Sequence, residues 1–389
     1  MRDPIPMTPP AFDLFCRVID NFGDAGVCWR LAAQLAAGGH PVRLWIDGLG
    51  ALARIVPAID AAAGDQTVEG VRVLPWARAG TALPPAGGVV VEAFACTPPA
   101  PYVAAMAARG CLWINLEYLS AEDWVRGCHG LPSPQSNGVP KYFYFPGFVP
   151  GTGGLLREPG LIERRDAERA RSRRQRLREL TGRDFGGLAD EARVALLFCY
   201  PDAPLAGLGR ALAAGPRPTL LLAPGGAPQG LAGQDGLRVE AIPFVPQPRF
   251  DELLWCCDLN LVRGEDSLVR ALWAGVPLLW HIYRQPEDAH LDKLEAWLTL
   301  ADLPPAAARA VRAWNGHDDA ACAQALAQAL EPAAFEAWSL RSRQWSDALC
   351  AQDDLARNLL AFCRRHLPAS QAGSSRSGPI GSKSGGIVT

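Results

Sequence analysis

Residues 263–267 place a cation, a glycine, two carboxylates and a hydroxyl side by side. The preceding apolar run, 259–262, predicts a buried strand, and residues 267–274 repeat apolar positions at helical spacing until Gly275. The first amides of a helix have no internal partners and carry the positive end of the helix dipole. The turn is therefore expected to bind an anion such as phosphate, with Arg263 as a forked, permanently charged donor.

The other residues of this turn limit the classes of ligand that it could bind. Gly264 allows close approach of the backbone, whereas Asp266 or Ser267 could cap the helix or bond the ligand. A diphosphate would repel Glu265 unless that carboxylate faced neutral hydroxyl groups, such as those of ribose or a sugar. The pattern therefore favours a sugar nucleotide, and the alternative is a surface turn with capping residues and a salt bridge.

A second strand, turn and helix begins near the start of the chain and carries two carboxylates. Residues 12–19 predict the strand, Asp20 and Asp24 lie in the turn, and residues 27–37 predict the helix. The G-x-G-x-x-G spacing is missing, which disfavours a nicotinamide or flavin enzyme. An acidic turn suits proton acceptance, hydroxyl binding or a cationic substrate, and the alternative is an Asx-turn with a helix cap.

The composition excludes several classes of protein. A chain of 389 residues, 49% hydrophobic and 20% charged, is typical of a globular protein with two domains. A net charge of -2 gives no reason to expect nucleic acid or an anionic membrane as a partner. The sequence has no apolar run long enough to span a membrane, and MRDPIPMTPP does not resemble a signal peptide. A cytoplasmic protein is expected.

The metal-binding residue types do not form a recognisable site. The 11 cysteines are scattered without C-x-x-C spacing, which is typical of reduced thiols in a core. An Asp-x-Asp triplet is also missing, so neither a divalent metal nor another cofactor is expected. Helix amides and arginine could neutralise a departing diphosphate instead.

The remaining strands alternate with Ala-rich helical segments, which predicts an α/β fold. Further strands are predicted at 42–46, 71–75, 88–94, 111–116, 192–200, 219–223, 237–242 and 276–283. Residues 130–154, rich in proline, glycine and aromatic residues, are expected to form an ordered loop over a cleft. Residues 157–183 are dense in charge and predict a long solvated helix between the domains.

These patterns divide the chain into six parts. They are a flexible arm (1–10), a first Rossmann-like domain (11–156), a charged helical junction (157–190), a second Rossmann-like domain (191–335), returning carboxyl-terminal helices (336–367), and a Ser/Gly-rich disordered tail (368–389). Two Rossmann-like domains that face a cleft, with a carboxyl-terminal helix packing back on the first, predict the GT-B glycosyltransferase fold.

Four segments also resemble a known family. They are FCRVIDNFGDAGVCWRLAAQLA, WINLEYLSAEDWV, KYFYFPGF and CDLNLVRGEDSLVRALWAGVPLLWHIYRQPEDAHLDKLEAWL, and they are similar to the EarP family, the protein-arginine rhamnosyltransferases of translation elongation factor P. The resemblance implies a metal-independent, inverting GT-B enzyme, with an acceptor-binding first domain (11–156) and a nucleotide-sugar-binding second domain (191–335). It would move L-rhamnose from dTDP-β-L-rhamnose to an arginine guanidinium of elongation factor P, and so support translation of polyproline stretches.

The resemblance also implies roles for individual residues. Asp20 would be the catalytic carboxylate, with Asp24 as its neighbour and Glu265 as a third essential acid. The remaining residues would bind the nucleotide sugar: Arg263, Gly264, Asp266 and Ser267 at the diphosphate and ribose, Tyr200, Phe244 and Gln247 near the thymine, and Gln285.

Two other functions are consistent with the same residues. One is a GT-B enzyme that acts on a lipid or small-molecule acceptor, although the sequence has no basic amphipathic helix that would face a membrane. The other is a non-catalytic module that binds a sugar nucleotide or a translation factor. A pure binding module has no need of an acidic residue such as Asp20 in the acceptor turn, which argues against that function.

Overall fold

Short apolar segments in the first half of the chain form the strands of one sheet. The computed structural model describes residues 9–20 and 22–367, so the predicted tail and nearly all of the predicted arm lie outside the described residues. The strands are β1 Phe12–Cys16, β2 Val42–Ile46, β3 Gln66–Val68, β4 Val71–Pro75, β5 Val89–Ala93, β6 Leu112–Leu116, β7 Pro132–Ser133 and β8 Lys141–Tyr144. Their spatial order is β3-β4-β2-β1-β5-β6-β8-β7, parallel except at the two edge strands β3 and β7.

Helices connect these strands. They are α1 Gly23–Ala37, α2 Leu49–Ile55, α3 Ala100–Ala108 and α4 Trp124–Cys128, with a 3-10 helix at Trp76–Thr81. All five residues of β1 are buried, as expected for a central parallel strand covered on both faces. The order of the strands reverses direction at β1, so its carboxyl end opens on a crevice of the kind in which α/β sheets bind ligands.

The second half of the chain forms a five-stranded, fully parallel sheet in the order β11-β10-β9-β12-β13. Its strands are β9 Arg193–Leu197, β10 Thr219–Pro224, β11 Leu237–Ile242, β12 Leu259–Arg263 and β13 Leu278–His281. The helices of this half are α5 Leu161–Arg169, α6 Arg173–Thr181, α7 Leu188–Glu191, α8 Leu205–Ala213, α9 Gln247–Cys256, α10 Asp266–Ala274, α11 Ala289–Ala301, α12 Pro305–Trp314, α13 Asp319–Leu330, α14 Pro332–Cys350 and α15 Leu355–His366, with a 3-10 helix at Pro286–Asp288. The order of these strands reverses between β9 and β12, where a second crevice opens.

Two segments differ from their predictions. Residues 130–154 are not only a loop, because β8 pairs in parallel with β6 inside the first sheet. The charged segment is not one solvated helix either, because it breaks into α5 and α6. Arg165 and Arg176 are buried, and their guanidiniums donate to the carbonyl oxygens of Trp273 and Trp255. Charge density alone therefore mispredicted exposure, because arginine can bury its stem and still find acceptors.

The last helix returns to the first domain. Leu355, Leu359 and Phe362 of α15 are buried in the same core as the strands of the first sheet. The two segments that connect the domains lie side by side. The amide of Leu355 in one donates to the carbonyl of Leu155 in the other at 2.9 Å. No helix in the described ranges is long and apolar enough to cross a membrane.

A buried cluster of charges joins the two domains beneath the cleft. Arg30 of α1 donates to both oxygens of Asp251 on α9, at 3.0 and 3.1 Å, to Asp266 at 2.9 Å, and to Glu158 at 3.1 Å. Arg270 of α10 binds the same Asp251 and donates to Glu158 at 2.7 Å. Arg30, Arg270 and Asp251 are each at most 5% exposed, so each charge depends on the others.

We expect Glu158→Gln to lower the free energy of unfolding at pH 7 by roughly 2 to 4 kcal/mol. Burial opposes ionisation of Glu158, but Arg270 and Arg30 outweigh it and lower the pKa of this carboxyl from 4.5 to about 2. The charged form therefore stabilises the fold above pH 4.5, and that stabilisation is lost as the pH falls towards 2. Urea unfolding of wild type and variant should converge over that interval.

Glu295→Gln is the matched control. Glu295 also pairs with an arginine, Arg312, but the two side chains are 51% and 48% exposed. Its substitution should change the free energy of unfolding by less than about 1 kcal/mol. Equal effects of the two substitutions would contradict a special role for the buried cluster.

Candidate active site

The turn between β12 and α10 is fixed by its own hydrogen bonds. Gly264 has a φ of +60°, a left-handed conformation that favours glycine, and its carbonyl accepts from the Trp280 indole at 2.8 Å. The Ser267 hydroxyl accepts from the amide of Arg263 at 3.2 Å and donates to the Arg263 carbonyl. Neither Asp266 nor Ser267 caps α10, contrary to one expectation.

The acidic turn after β1 is held by a carboxylate of the helix that follows it, because α1 begins at Gly23 and so includes Asp24, which the sequence had placed in the turn. Asp24 is 4% exposed, and its Oδ2 accepts from the amides of Ile19 at 2.8 Å and Asp20 at 2.9 Å. Burial raises the pKa of the Asp24 carboxyl above its ordinary value. These contacts give Asp24 a structural part in shaping the turn that presents Asp20.

Asp20 lies where the two domains meet. Its Oδ2 accepts from the Tyr200 hydroxyl of the second domain at 2.8 Å. A Cβ atom at Gly264 would lie 3.0 Å from the same oxygen, and one at Gly23 would lie 2.9 Å from it. Both glycines therefore make room for the Asp20 carboxylate, which joins the two predicted turns in space.

The cleft between the domains has two lobes that share Asp20 and Gly23. The aromatic lobe is lined mainly by the second domain, with Phe198, Phe244, Gln247, Phe250, Arg263, Asp266 and Ser267 among its residues. The acidic lobe is lined by residues that include Asp24, Phe94, Tyr118, Glu265, Tyr283, Gln285 and Lys293. Tyr200 and Gly264 lie against Asp20 between the lobes. The structure thus gathers all eleven predicted site residues around one cleft, and their roles stay predictions.

The aromatic rings of the aromatic lobe contact Arg263 and the first domain. The Arg263 guanidinium lies 4.6 Å from the ring centroid of Phe198 and 4.8 Å from that of Tyr200. Phe244 packs on Phe22 of the first domain, with ring centroids 5.1 Å apart. A flat base between such rings and a diphosphate at Arg263 would both be stabilised.

Two residues predicted to bind the donor already have partners within the protein. Asp266 accepts from Arg30 at 2.9 Å and from the Gln247 amide nitrogen at 3.1 Å. Gln247 is 6% exposed and also donates to the Gly26 carbonyl at 3.1 Å. Both side chains therefore join the domains, which sequence spacing could not indicate.

Glu265 also spans the cleft. One of its oxygens accepts from the amide of Leu119 in the first domain at 2.8 Å, and the other lies 3.4 Å from the Lys293 ammonium. Burial raises the pKa of this carboxyl, while Lys293 and the Leu119 amide oppose the shift. The sequence predicted neutral hydroxyl groups as the partners of Glu265, whereas the partners within the protein are a backbone amide and a cation.

Sequence reasoning missed several residues of the cleft. They are Arg30 in the buried cluster, Phe198 and Phe250 in the aromatic lobe, and Phe94, Tyr118 and Lys293 in the acidic lobe. Phe94 and Phe198 directly follow strands β5 and β9. Their positions at the carboxyl ends of strands could therefore have identified them as cleft residues. Arg30 and Lys293 lie within helices, where the pattern gave no such signal. Within the described residues, no group of three His, Cys, Asp or Glu side chains is placed to hold a metal ion.

Comparisons with known proteins agree with this geometry. A family model described as elongation-factor P (EF-P) rhamnosyltransferase EarP matches residues 12–364. A protein-arginine rhamnosyltransferase of Pseudomonas putida is 47% identical over 92% of this chain and 99% of its own length. A solved structure described as the basis for EarP-mediated arginine glycosylation of EF-P is 34% identical, covers 92% of this chain and all of its own, and has a TM-score of 0.61.

A more distant likeness bears on the fold alone. The calicheamicin glycosyltransferase CalG4 is 16% identical and has a TM-score of 0.50 over 92% of this chain. Together with the two parallel sheets and the returning helix, these structures confirm the predicted GT-B fold. The match over nearly the whole described chain shows that the protein belongs to the EarP family.

Proposed function

We propose that this chain transfers L-rhamnose from dTDP-β-L-rhamnose to an arginine guanidinium of translation elongation factor P, with inversion at the anomeric carbon. The observation that carries the proposal is the position of Asp20, at the junction of an aromatic, cation-bearing lobe and an acidic lobe. The relative and the solved structure named above support the sugar and the protein acceptor.

The aromatic lobe suits the donor. The rings of Phe198, Phe244 and Phe250 offer flat apolar faces for a thymine base. Arg263 and the first amides of α10 would then face the diphosphate, where the helix dipole also favours negative charge. As the bond from sugar to diphosphate breaks, these fixed donors stabilise the charge on the leaving group, so that part of the barrier is lowered electrostatically.

The acidic lobe suits a cationic acceptor. Its lining combines three carboxylates, those of Asp20, Asp24 and Glu265, with the rings of Phe94 and Tyr118. Carboxylates bind guanidinium through charge-assisted hydrogen bonds, and aromatic faces attract the same cation. A phosphate would be repelled here, so the two substrates are sorted between the lobes.

Asp20 would act after it has oriented the acceptor. Arginine has a pKa above about 12, so a carboxylate cannot deprotonate the free side chain before attack. Asp20 instead holds one guanidinium nitrogen against the anomeric carbon and takes its proton as the new C–N bond forms. The products are rhamnosyl arginine, dTDP and the proton on Asp20.

The proposal is tested by incubating the protein with elongation factor P and dTDP-rhamnose and weighing the factor intact. We expect a mass increase of one deoxyhexose, located on an arginine by peptide fragmentation. Hydrolysis of the donor without transfer would indicate a glycosyltransferase for another acceptor. Binding of dTDP without turnover would indicate a non-catalytic module.

Asp20→Asn should lower kcat by ~100-fold or more, because the amide cannot take the proton. Its affinity for dTDP should stay close to that of the wild type in calorimetry, since Asp20 would face the acceptor. A large loss of dTDP affinity would assign Asp20 to the donor instead.

Tyr200→Phe is a milder change that affects the hydrogen-bond partner of Asp20. It removes the hydroxyl that donates to Asp20 at 2.8 Å and leaves the ring that lies against Arg263. We expect a fall in kcat of about tenfold, the usual worth of one hydrogen bond, with dTDP affinity retained.

Arg263→Ala should weaken dTDP binding by roughly 1.5 to 3 kcal/mol, because a charge-assisted contact to the diphosphate is lost. Arg284→Ala is the matched control, since that arginine is 48% exposed and pairs with Asp202 at 3.4 Å. Calorimetric titration with dTDP measures both variants. Unchanged affinity in Arg263→Ala would place the diphosphate elsewhere.

A further inference from the structure

Lys293 is a cation inside the lobe that would receive a cationic acceptor. It lies on α11 with its side chain 16% exposed, and it lines the acidic lobe. Its ammonium lies 3.4 Å from Glu265 Oε1 and 5.5 Å from the ring centroid of Tyr118. An ammonium in a site for guanidinium is unfavourable by charge alone, so its presence calls for a specific role.

The aromatic wall beside Lys293 is held in an unusual backbone conformation. Tyr118 stacks on Phe94, with ring centroids 4.5 Å apart and planes 17° apart. Phe94 and Ala95 have φ values of +56° and +57°, which side chains with a Cβ rarely adopt. Two hydrogen bonds hold this strained turn. The amide of Phe94 donates to the Leu116 carbonyl, and the amide of Ala95 donates to the side-chain oxygen of Asn115. Such strain is retained where a fixed geometry is needed.

Glu265 ties this wall to the second domain. Its Oε2 accepts from the amide of Leu119, the residue after Tyr118, while its Oε1 faces Lys293. The carboxylate therefore binds a donor from each domain. A free carboxylate at this place would attract an incoming guanidinium as Asp20 does.

We propose that Lys293 is a positioning and specificity residue that occupies Glu265, steadies Tyr118, and so directs the acceptor cation to Asp20. The inference rests on the proposed function, because it assumes an arginine acceptor. Lys293 repels a second cation from the Glu265 side of the lobe and leaves Asp20 and Asp24 as the anionic side. The guanidinium is thereby confined to the side next to the aromatic lobe, where the anomeric carbon would lie.

The test is Lys293→Met, measured in steady-state transfer to elongation factor P with each substrate varied in turn. Without the ammonium, the acceptor can also pair with Glu265, out of line with the sugar. We expect kcat to fall about tenfold or more, because the bound arginine is misplaced. KM for elongation factor P should stay the same or fall, since unproductive binding adds to productive binding, and KM for dTDP-rhamnose should not change.

Three further variants complete the test. Lys293→Arg keeps the cation and should recover most of kcat, whereas Lys293→Gln, a second neutral variant, should share the loss. Arg312→Met removes the exposed cation that pairs with Glu295, a residue of the same helix as Lys293. It should leave kcat and both KM values unchanged. Calorimetric titration with dTDP confirms that each variant is folded.

Several outcomes would overturn the inference. The first is a kcat within about twofold of wild type in both neutral variants. The second is a loss of kcat/KM that comes from a higher KM for dTDP-rhamnose. The third is an equal fall in kcat in Lys293→Arg and Lys293→Met. The second outcome would make Lys293 a contact of the sugar. Wild-type protein that transfers no rhamnose would refute the proposed function instead, and the two failures are therefore distinct.

Discussion

The buried ion cluster around Arg30 is the constraint on which the cleft depends. Removing an arginine from water is costly unless carboxylates surround it, so Arg30 can be buried only when the domains bring Asp251, Asp266 and Glu158 to it. Because Arg30 belongs to α1 and Asp266 is the first residue of α10, the same contacts set the distance between the turn that carries Asp20 and the turn that carries Arg263. The cluster therefore fixes the relation between the two lobes as well as the relation between the two domains.

Most carboxylates of the cleft are bound by the protein itself. Asp24 holds the turn that carries Asp20, Asp266 holds Arg30, and Glu265 joins a backbone amide of one domain to an ammonium of the other. Asp20 differs, because in the described structure its side chain accepts a single hydrogen bond, from the neutral Tyr200 hydroxyl. Burial raises the pKa of that phenol, so the hydroxyl remains a donor at neutral pH. Asp20 is therefore the carboxylate of the cleft with the fewest internal partners, which agrees with the role proposed for it.

Local patterns predicted much of the fold and part of the site. Buried parallel strands are continuous apolar runs, so segments such as Val42–Ile46 and Leu237–Ile242 were predicted with the observed bounds. The turns at Asp20 and Arg263 were predicted because strand, glycine and helix signals follow one another along the chain. Pairs such as Arg30 with Asp266, 236 residues apart, depend on how the domains pack, and no local period encodes them. The strand Lys141–Tyr144, which lies inside the sheet between β6 and β7, was missed because its aromatic residues and neighbouring prolines suggested a loop.

Separation of charge explains why two lobes meet at one residue. A guanidinium and a diphosphate in one open pocket would pair with each other, and the arginine would then face phosphate oxygen instead of the anomeric carbon. Here Arg263 lines the aromatic lobe, where the Asp266 carboxylate is already paired with Arg30. Three carboxylates, those of Asp20, Asp24 and Glu265, line the acidic lobe, where Lys293 is paired with Glu265. Asp20 stands at the boundary, where under the proposed function its negative charge would oppose entry of the diphosphate into the acidic lobe. The sugar would be the neutral part of such a donor, so it is the part that could cross the boundary and meet the nucleophile.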